Sequence, residues 1–230
     1  MNYVVSNSTT IGIVISIIGY EIGLLLKRKY HYAILNPLLI SIVFVIGFVL
    51  IFHVDYQNYN SSAKYLSYLL TPATVSLAIP LYQQLELLKK NMAAIMAGIL
   101  SGVLSSLGCV FALALVFGLN HREYVTLLPK SITTAIGIGI ADELGGYVTI
   151  TVAVIIITGV LGNICAEGIC KLVRITDPVA KGIAIGTSSH AIGTARAMEI
   201  GEIEGAMSSL SIVISGICTL IGASVFANFI

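Results

Sequence analysis

Charged side chains are scarce in this sequence: Lys, Arg, Asp and Glu make up 10% of its 230 residues, and hydrophobic residues make up 57%. Soluble domains carry about 25% charged residues, so the scarcity excludes a water-soluble protein and indicates an integral membrane protein. There is no basic block beyond Lys27-Arg28-Lys29, and the net charge is +1. Both facts argue against nucleic acid as a partner.

The sequence also lacks the common motifs of catalysis and metal binding. Ser188, Ser189 and His190 are adjacent, but no Gly-x-Ser-x-Gly elbow and no His-Glu-x-x-His motif occurs. Nucleophilic catalysis needs a base aimed at the hydroxyl and an orienting group behind that base, which adjacency alone does not supply. The four histidines are scattered, and Cys165 and Cys170 lack a metal-ligand spacing. We therefore predict no enzymatic activity, no metal and no cofactor.

Long apolar runs fill the chain instead. The length of each run decides whether it can cross a hydrocarbon core, which is about 30 Å thick. The runs predict an all-α integral membrane protein of seven or eight segments, at 11–26, 34–52, 65–88, 92–119, 127–146, 147–173, 183–201 and 206–229. Three of these carry polar residues and helix breakers: Pro72 and Pro80 in the third, Gly137 and Gly139 in the fifth, and a cluster around His190 in the seventh. We predict broken or re-entrant helices there, as in secondary transporters.

An internal repeat supports the same architecture. Shifting the sequence by 56 residues sets Ala135-Ile136-Gly137 on Ala191-Ile192-Gly193 and Glu143 on Glu199, and a shift of 57 sets Pro72 on Pro129. The shifts predict three units, 65–119, 127–173 and 183–230, within one transmembrane domain, 1–230. The alternative is chance among a few common residue types.

The orientation of the segments is open at this stage. If every segment crosses, Lys171, Arg174 and Lys181 lie outside with Lys130, and the cytoplasmic excess of positive charge is lost. If 127–146 is re-entrant, those three residues join the cytoplasmic set and the excess returns.

The stretch 186–201 packs a histidine, an arginine and several hydroxyls between glycines, and we read it as a broken helix lining a binding site. Ionisable groups at membrane depth are costly and usually line a pathway. A small carboxylate needs a cation or helix N-terminal N–H groups, together with hydroxyl partners. The predicted substrate-binding residues are Ser188, Ser189, His190, Gly193, Thr194, Arg196, Thr133, Thr134 and Thr74.

For two of these residues, a structural role is the alternative to substrate binding. Arg196 can form an ion pair with Glu199, three positions on, or with Glu143 of the neighbouring repeat. His190 can be a core histidine bonded to a hydroxyl, or a group that couples transport to protons. Glu143 and Glu199 occupy matching repeat positions, and each is either an ion-coupling group or a partner of Arg and Lys.

Three long motifs make the chain similar to the CidB/LrgB family. They are Ser-Ser-His-Ala-Ile-Gly-Thr-Ala-Arg-Ala-Met-Glu, Leu-Leu-Pro-Lys-Ser-Ile-Thr-Thr-Ala followed by Glu-Leu-Gly-Gly, and Pro-Ala-Thr-Val-Ser-Leu-Ala-Ile-Pro-Leu-Tyr. The likeness runs over essentially the whole chain. The resemblance implies two functions: holin- or antiholin-like control of lysis with a small CidA/LrgA partner, or transport, since a plastid relative exchanges glycolate and glycerate and some bacterial relatives are linked to pyruvate uptake.

Of the two, the residues favour transport, because a carrier needs convergent polar groups at mid-depth. A lytic pore needs an amphipathic stripe repeated by oligomerisation, and the sequence shows little of that. We predict a proton-coupled carrier of small monocarboxylates with alternating access, in the bacterial cell membrane. The alternative is a holin/antiholin-like protein that controls murein hydrolase activity and lysis with its small partner. A homodimer is expected in either case.

Overall fold

The computed structural model describes residues 10–30 and 35–230, and all regular structure in these two ranges is helical. The expectation of an all-α protein is confirmed at that level. The chain divides after Ser76 into two compact units, Met1–Ser76 and Leu77–Ile230, and each is described by itself. The three sequence repeats and the single domain built from them stay predictions.

The described residues of the N-terminal unit, 10–30 and 35–76, form four α-helices: α1 (Ile11–Tyr30), α2 (Pro37–Ile51), α3 (Tyr56–Ala63) and α4 (Leu70–Ser76), with a 3-10 helix (Lys64–Leu69) before α4. Asn36 caps α2, because its Oδ1 accepts from the backbone N–H of Leu38 at 2.8 Å, and Pro37 follows at the first helical position. Helix α1 packs closely on α2, since a Cβ at Gly23 would lie 2.6 Å from Pro37 Cα.

The C-terminal unit contains eight α-helices: α5 (Ala78–Gln83), α6 (Leu85–Lys90), α7 (Met92–Phe117), α8 (His121–Leu127), α9 (Thr134–Glu143), α10 (Val148–Leu172), α11 (Pro178–Ile200) and α12 (Glu202–Phe226). A 3-10 helix (Ala227–Phe229) ends the chain. Asp177 caps α11, with Oδ1 accepting from Ala180 N at 2.9 Å and Pro178 at the first helical position. The cap at Asn36 starts α2 within the predicted segment 34–52, whereas α11 starts at Pro178, five residues before the predicted segment 183–201.

Three helices of the described residues are long and apolar enough to cross a membrane: Met92–Phe117, Val148–Leu172 and Glu202–Phe229. The 26 residues of α7 span about 39 Å at 1.5 Å per residue, more than the hydrocarbon core. Pro37–Ile51 is a shorter apolar helix. The membrane class is thus supported by three spans, and the count of seven or eight segments stays a prediction.

The predicted helix breaks lie in different kinds of structure. Pro72 is inside α4 and Pro80 inside α5, and the stretch 65–88 is a series of short helices rather than one span. Gly137 and Gly139 were expected to interrupt a helix, but α9 runs through both. The interruption comes earlier, in the turns at 128–133, because Pro129 lies there and Thr133 takes the extended conformation of an N-cap.

Helix α11 contains one residue outside the helical region, His190 (φ 43°, ψ −142°), and the chain reverses there. Gly186, before His190, packs on Ser208 of α12, and Thr194, after it, has its Oγ1 2.7 Å from the Oγ of the same serine. A straight helix would separate positions 186 and 194 by about 12 Å. The half-helices 178–189 and 191–200 therefore form a hairpin, which we call the α11 hairpin.

A second reversal joins α8 and α9. Thr126, near the end of α8, accepts a hydrogen bond at its Oγ1 from Tyr147 N, which follows α9, at 2.8 Å. The intervening turn reaches the middle of α7, where Ser131 Oγ lies 3.0 Å from Ser106 Oγ. The α8–α9 hairpin therefore turns back and does not cross the bundle.

These reversals place most positive charge of the C-terminal unit at one end. Helix α7 begins, α10 ends and α12 begins there, and we call it the basic end, defined by Lys89, Lys90, Lys171, Arg174 and Lys181. The opposite end, where His121 Nδ1 lies 2.7 Å from the Ile230 carbonyl oxygen, carries Arg122. Whether the 127–146 segment re-enters the membrane, and which end of the unit faces the cytoplasm, stay predictions.

Candidate functional site: a cavity at the two hairpin tips

A cavity of about 500 Å³ lies where the tips of the two hairpins meet the middle turns of α7 and α10. Its volume is in the range of small-molecule sites. Hydroxyl groups dominate the polar part of its wall, and one ammonium group joins them. The lining residues of this central cavity are Gly102, Ser105, Ser106, Cys109, Lys130, Ser131, Thr158, Gly162, Ile169, Ala184, Thr187, Ser188 and Ser189.

Lys130 supplies the positive charge of the central cavity. Its Nζ donates to Ser131 Oγ at 3.0 Å, and Ser131 in turn is 3.0 Å from Ser106 Oγ. Within residues 10–30 and 35–230 no carboxylate forms an ion pair with Lys130. A half-buried ammonium with a hydroxyl as its hydrogen-bond partner and no paired carboxylate is a suitable site for an anion.

Ser188 and Ser189 stand at the tip of the α11 hairpin. Ser188 Oγ donates to the Ala184 carbonyl at 2.7 Å and lies 3.0 Å from Ser189 Oγ. Because a hydroxyl has one hydrogen, Ser188 keeps lone pairs that accept from Ser189 or from a bound ligand. Both predicted serines therefore line the central cavity.

His190 is beside the cavity but its ring faces α10. The side chain is 3% exposed, and Nε2 donates to the Ile155 carbonyl at 3.0 Å. A carbonyl only accepts, so this bond places a hydrogen on Nε2 and leaves Nδ1 as the second site. The backbone of His190 has a positive φ that costs a non-glycine residue about 1–3 kcal/mol. The Ile155 bond and the Thr194 Oγ1 bond to the His190 carbonyl (3.0 Å) hold it there.

Two glycines of α10 make room for this tip. A Cβ on Gly159 would lie 2.6 Å from His190 Cε1, and a Cβ on Gly162 would overlap Ser189 Oγ. Small residues let membrane helices approach closely. The tip can therefore sit against α10 only because these positions carry no side chain.

Arg196 does not line the central cavity. Its Nη1 donates to Glu199 Oε2 at 2.5 Å, and its Nη2 forms an ion pair with Glu167 of α10. Of the two ion-pair alternatives, the pair with Glu199 occurs, and Glu167 takes the place that the repeat assigned to Glu143. The sequence interpretation of Arg196 as a substrate cation is replaced here by a structural one, because two carboxylates already hold the guanidinium.

The remaining predicted residues are dispersed. Gly193 packs against Ser189 and Ile185, and Thr194 is buried against Ser208. Thr133 and Thr134 are half-buried at the start of α9 and outside the cavity wall, and Glu143 is exposed at the end of α9. Thr74 is in α4, but its side chain lies outside the described residues.

Sequence reasoning missed Lys130, Ser106, Cys109 and Thr158 as members of the site. A signal for Lys130 was present: no acidic residue stands three or four positions away from it, whereas Arg196 has Glu199 at that spacing. The other three lie in plain apolar helices, where nothing local separates a cavity-facing side chain from a lipid-facing one. Across the described ranges, no group of three His, Cys, Asp or Glu residues is arranged to hold a metal.

Comparison with known proteins finds relatives over nearly the whole chain. The model of the LrgB-like family matches residues 16–229. The chain is 36% identical over 220 residues to an antiholin-like protein LrgB of Bacillus cereus (strain B4264), covering 95% of this chain and 96% of the relative. The same values hold for an antiholin-like protein LrgB of Bacillus anthracis (strain CDC 684 / NRRL 3495). No solved structure matches. With its three apolar spans, this membrane protein belongs to the LrgB-like family.

Proposed function

We propose that this protein carries small monocarboxylates of the glycolate, glycerate, lactate and pyruvate type across the bacterial cell membrane, with the central cavity as the binding site. The observation that supports this most is Lys130, whose ammonium group lies at the meeting point of the two hairpins. Among the described residues its hydrogen-bond partner is the hydroxyl of Ser131, and no carboxylate pairs with it. A buried charge needs a compensating partner, and a substrate carboxylate is of the right sign and size.

The hydroxyls around Lys130 suit the second functional group of such substrates. A 2-hydroxy or 2-oxo acid carries an oxygen next to its carboxylate, and Ser106, Ser131 and Ser188 line the same cavity. Charge-assisted hydrogen bonds to Lys130 would select the carboxylate, and the weaker hydroxyl bonds would select the neighbouring oxygen. Alternating access would follow from movement of one hairpin tip against the other.

Proton coupling is part of the proposal, and His190 is the group assigned to it. Of the three predicted coupling residues, Glu199 is held by Arg196 and Glu143 is exposed on α9. His190 has one ring nitrogen fixed by Ile155, and its Nδ1 is the atom that would take up the proton. The groups packed against its ring from α10 and from α11 itself, Gly159 and Ile192, carry no charge.

The test is uptake of labelled glycolate, glycerate, lactate and pyruvate into proteoliposomes, with and without a pH gradient. We expect saturable uptake of at least one substrate. In Lys130→Met the apparent KM should rise about ten-fold or more, since a hydrogen bond to a charged group contributes about 1.5–3 kcal/mol. Lys171→Met is the matched control, because that side chain is 79% exposed at the basic end, and its uptake should be unchanged. No uptake of any substrate would refute the carrier function, and equal kinetics in the two variants would refute the role of Lys130 in binding.

A second function is favoured by the comparisons over the first. The relatives carry the name antiholin-like protein LrgB, so a role in controlling murein hydrolase activity and lysis with a small LrgA/CidA-type membrane partner is the other proposal. It requires no enzymatic activity and no cofactor of its own, and a homodimer is compatible with it. Co-purification with that partner and restoration of normal autolysis in a deletion strain would support it. Autolysis restored equally by Lys130→Met would separate this role from transport.

A further inference from the structure

A second cavity, also about 500 Å³, adjoins the central cavity on the side of the basic end. It lies between the first half of α7 and the first half-helix of α11. At its outer limit are Asn91 and Asp177, the residues that precede α7 and α11. From Asn91 to Gly102 the distance along α7 is about 16 Å at 1.5 Å per residue. We call this second cavity the vestibule.

The vestibule and the central cavity share three wall residues: Gly102, Ala184 and Thr187. They meet where α7 and α11 approach most closely, since a Cβ on Gly102 would lie 3.0 Å from Thr187 Oγ1 and 3.2 Å from Thr187 Cβ. Thr187 is 6% exposed, and its hydroxyl donates to the Ile183 carbonyl at 2.7 Å. Its side chain is therefore fixed, and the width of the junction depends on the missing side chain of Gly102.

We propose that the vestibule is the route by which a solute reaches the central cavity from the cytoplasm, and that Gly102 against Thr187 is the narrow point of that route. The side is assigned by Lys89, Lys90, Lys171, Arg174 and Lys181 at the basic end, following the positive-inside rule. The route rests on the proposed function only in that the solute is a small carboxylate.

Cys109 is a natural reporter for the route. It is exposed in the central cavity, beyond the narrow point, whereas Ser101 lines the vestibule before it. The test uses a protein whose other three cysteines are serine, in membrane vesicles of both orientations, and an anionic, membrane-impermeant thiosulfonate reagent. A second protein carries Ser101→Cys with all four native cysteines replaced.

We expect Cys109 to react faster in inside-out vesicles than in right-side-out vesicles. Gly102→Val should slow the reaction at Cys109 by about ten-fold or more, as for a thiol whose path to solvent is blocked. It should leave the cysteine at position 101 reactive. Gly108→Val is the matched control on the same helix, because a Cβ at Gly108 meets nothing within 4 Å, and it should not slow Cys109. If Gly102→Val does not give a folded protein, Gly102→Ala with and without Thr187→Ala tests the same junction, and the second change should restore the rate.

Faster reaction of Cys109 in right-side-out vesicles would overturn the proposal, and so would a rate unaffected by Gly102→Val. The carrier function fails separately: if no carboxylate is taken up but the labelling pattern holds, the route stands and the substrate class is wrong. If uptake occurs and the labelling pattern does not hold, the solute reaches the central cavity by another path.

Discussion

A single methyl group at Gly162 should displace the tip of the α11 hairpin. Gly162 faces the tip from α10, and a Cβ there would overlap Ser189 Oγ. Ser189 is 2% exposed and adjoins His190, whose strained backbone holds the reversal. Gly162→Ala therefore forces the tip to move, because the added methyl would also lie 2.5 Å from Ser189 Cβ, and rotation of the hydroxyl alone cannot relieve that clash.

The size of the effect follows from a comparison with Gly168 on the same helix, where a Cβ meets nothing within 4 Å. Each Gly→Ala change gains about 1 kcal/mol of helix propensity, so this gain cancels between the two variants. The difference is then the cost of overpacking, about 1–3 kcal/mol. At about 2–4 °C per kcal/mol for a chain of this length, Gly162→Ala should unfold about 2–12 °C below Gly168→Ala.

The assay is the temperature at which each purified variant, held in detergent, loses its monodisperse peak in size-exclusion chromatography. The rate of Cys109 modification, measured on the same samples, reports whether the central cavity has changed shape. We expect Gly168→Ala to match or exceed the unchanged protein in both measurements. Equal unfolding temperatures for the two variants, together with equal Cys109 rates, would refute the packing of the tip against Gly162.

Three further changes test other contacts. Arg196→Met removes the ion pair with Glu167 and should lower stability by about 1 kcal/mol or less, while the KM for uptake stays unchanged. A rise of that KM by about ten-fold, as expected for the loss of a charge-assisted bond to the substrate, would return Arg196 to the binding site. His190→Gln keeps a donor for the Ile155 carbonyl but removes the titratable group, so uptake should lose its dependence on the pH gradient; retained dependence would make His190 purely structural. Asn120→Ala removes the capping box with Glu123 and should cost about 1 kcal/mol of stability, measured as a lower unfolding temperature; an unchanged temperature would contradict it.

The sequence by itself determined the membrane class and, within three residues, the starts of α1, α2, α7 and α10. Few charges and long apolar runs exclude a soluble fold, and a short-range signal such as Asn36-Pro37 acts within one turn of the helix that it begins. The interruption near His190 was also predictable, because small and polar residues cluster there. Gly137 and Gly139 were misread because a glycine permits a break without requiring one, and α9 is held through them by its own hydrogen bonds.

Tertiary structure alone decided which polar residues share a site. Arg196 and Lys130 are both lone cations in apolar surroundings, yet Glu167 neutralises the first, and the second faces hydroxyls from α7 and from the α11 hairpin. Ser106 and Ser189, which line the cavity with Lys130, lie 24 and 59 positions from it in the chain, and Glu167 lies 29 positions from Arg196. Which of these distant side chains face one another depends on where the chain reverses. The place of a reversal depends in turn on packing against another helix, as at Gly162. Composition and local spacing carry no information about that packing, so only the assembled helices show which residues line the central cavity that we propose as the binding site.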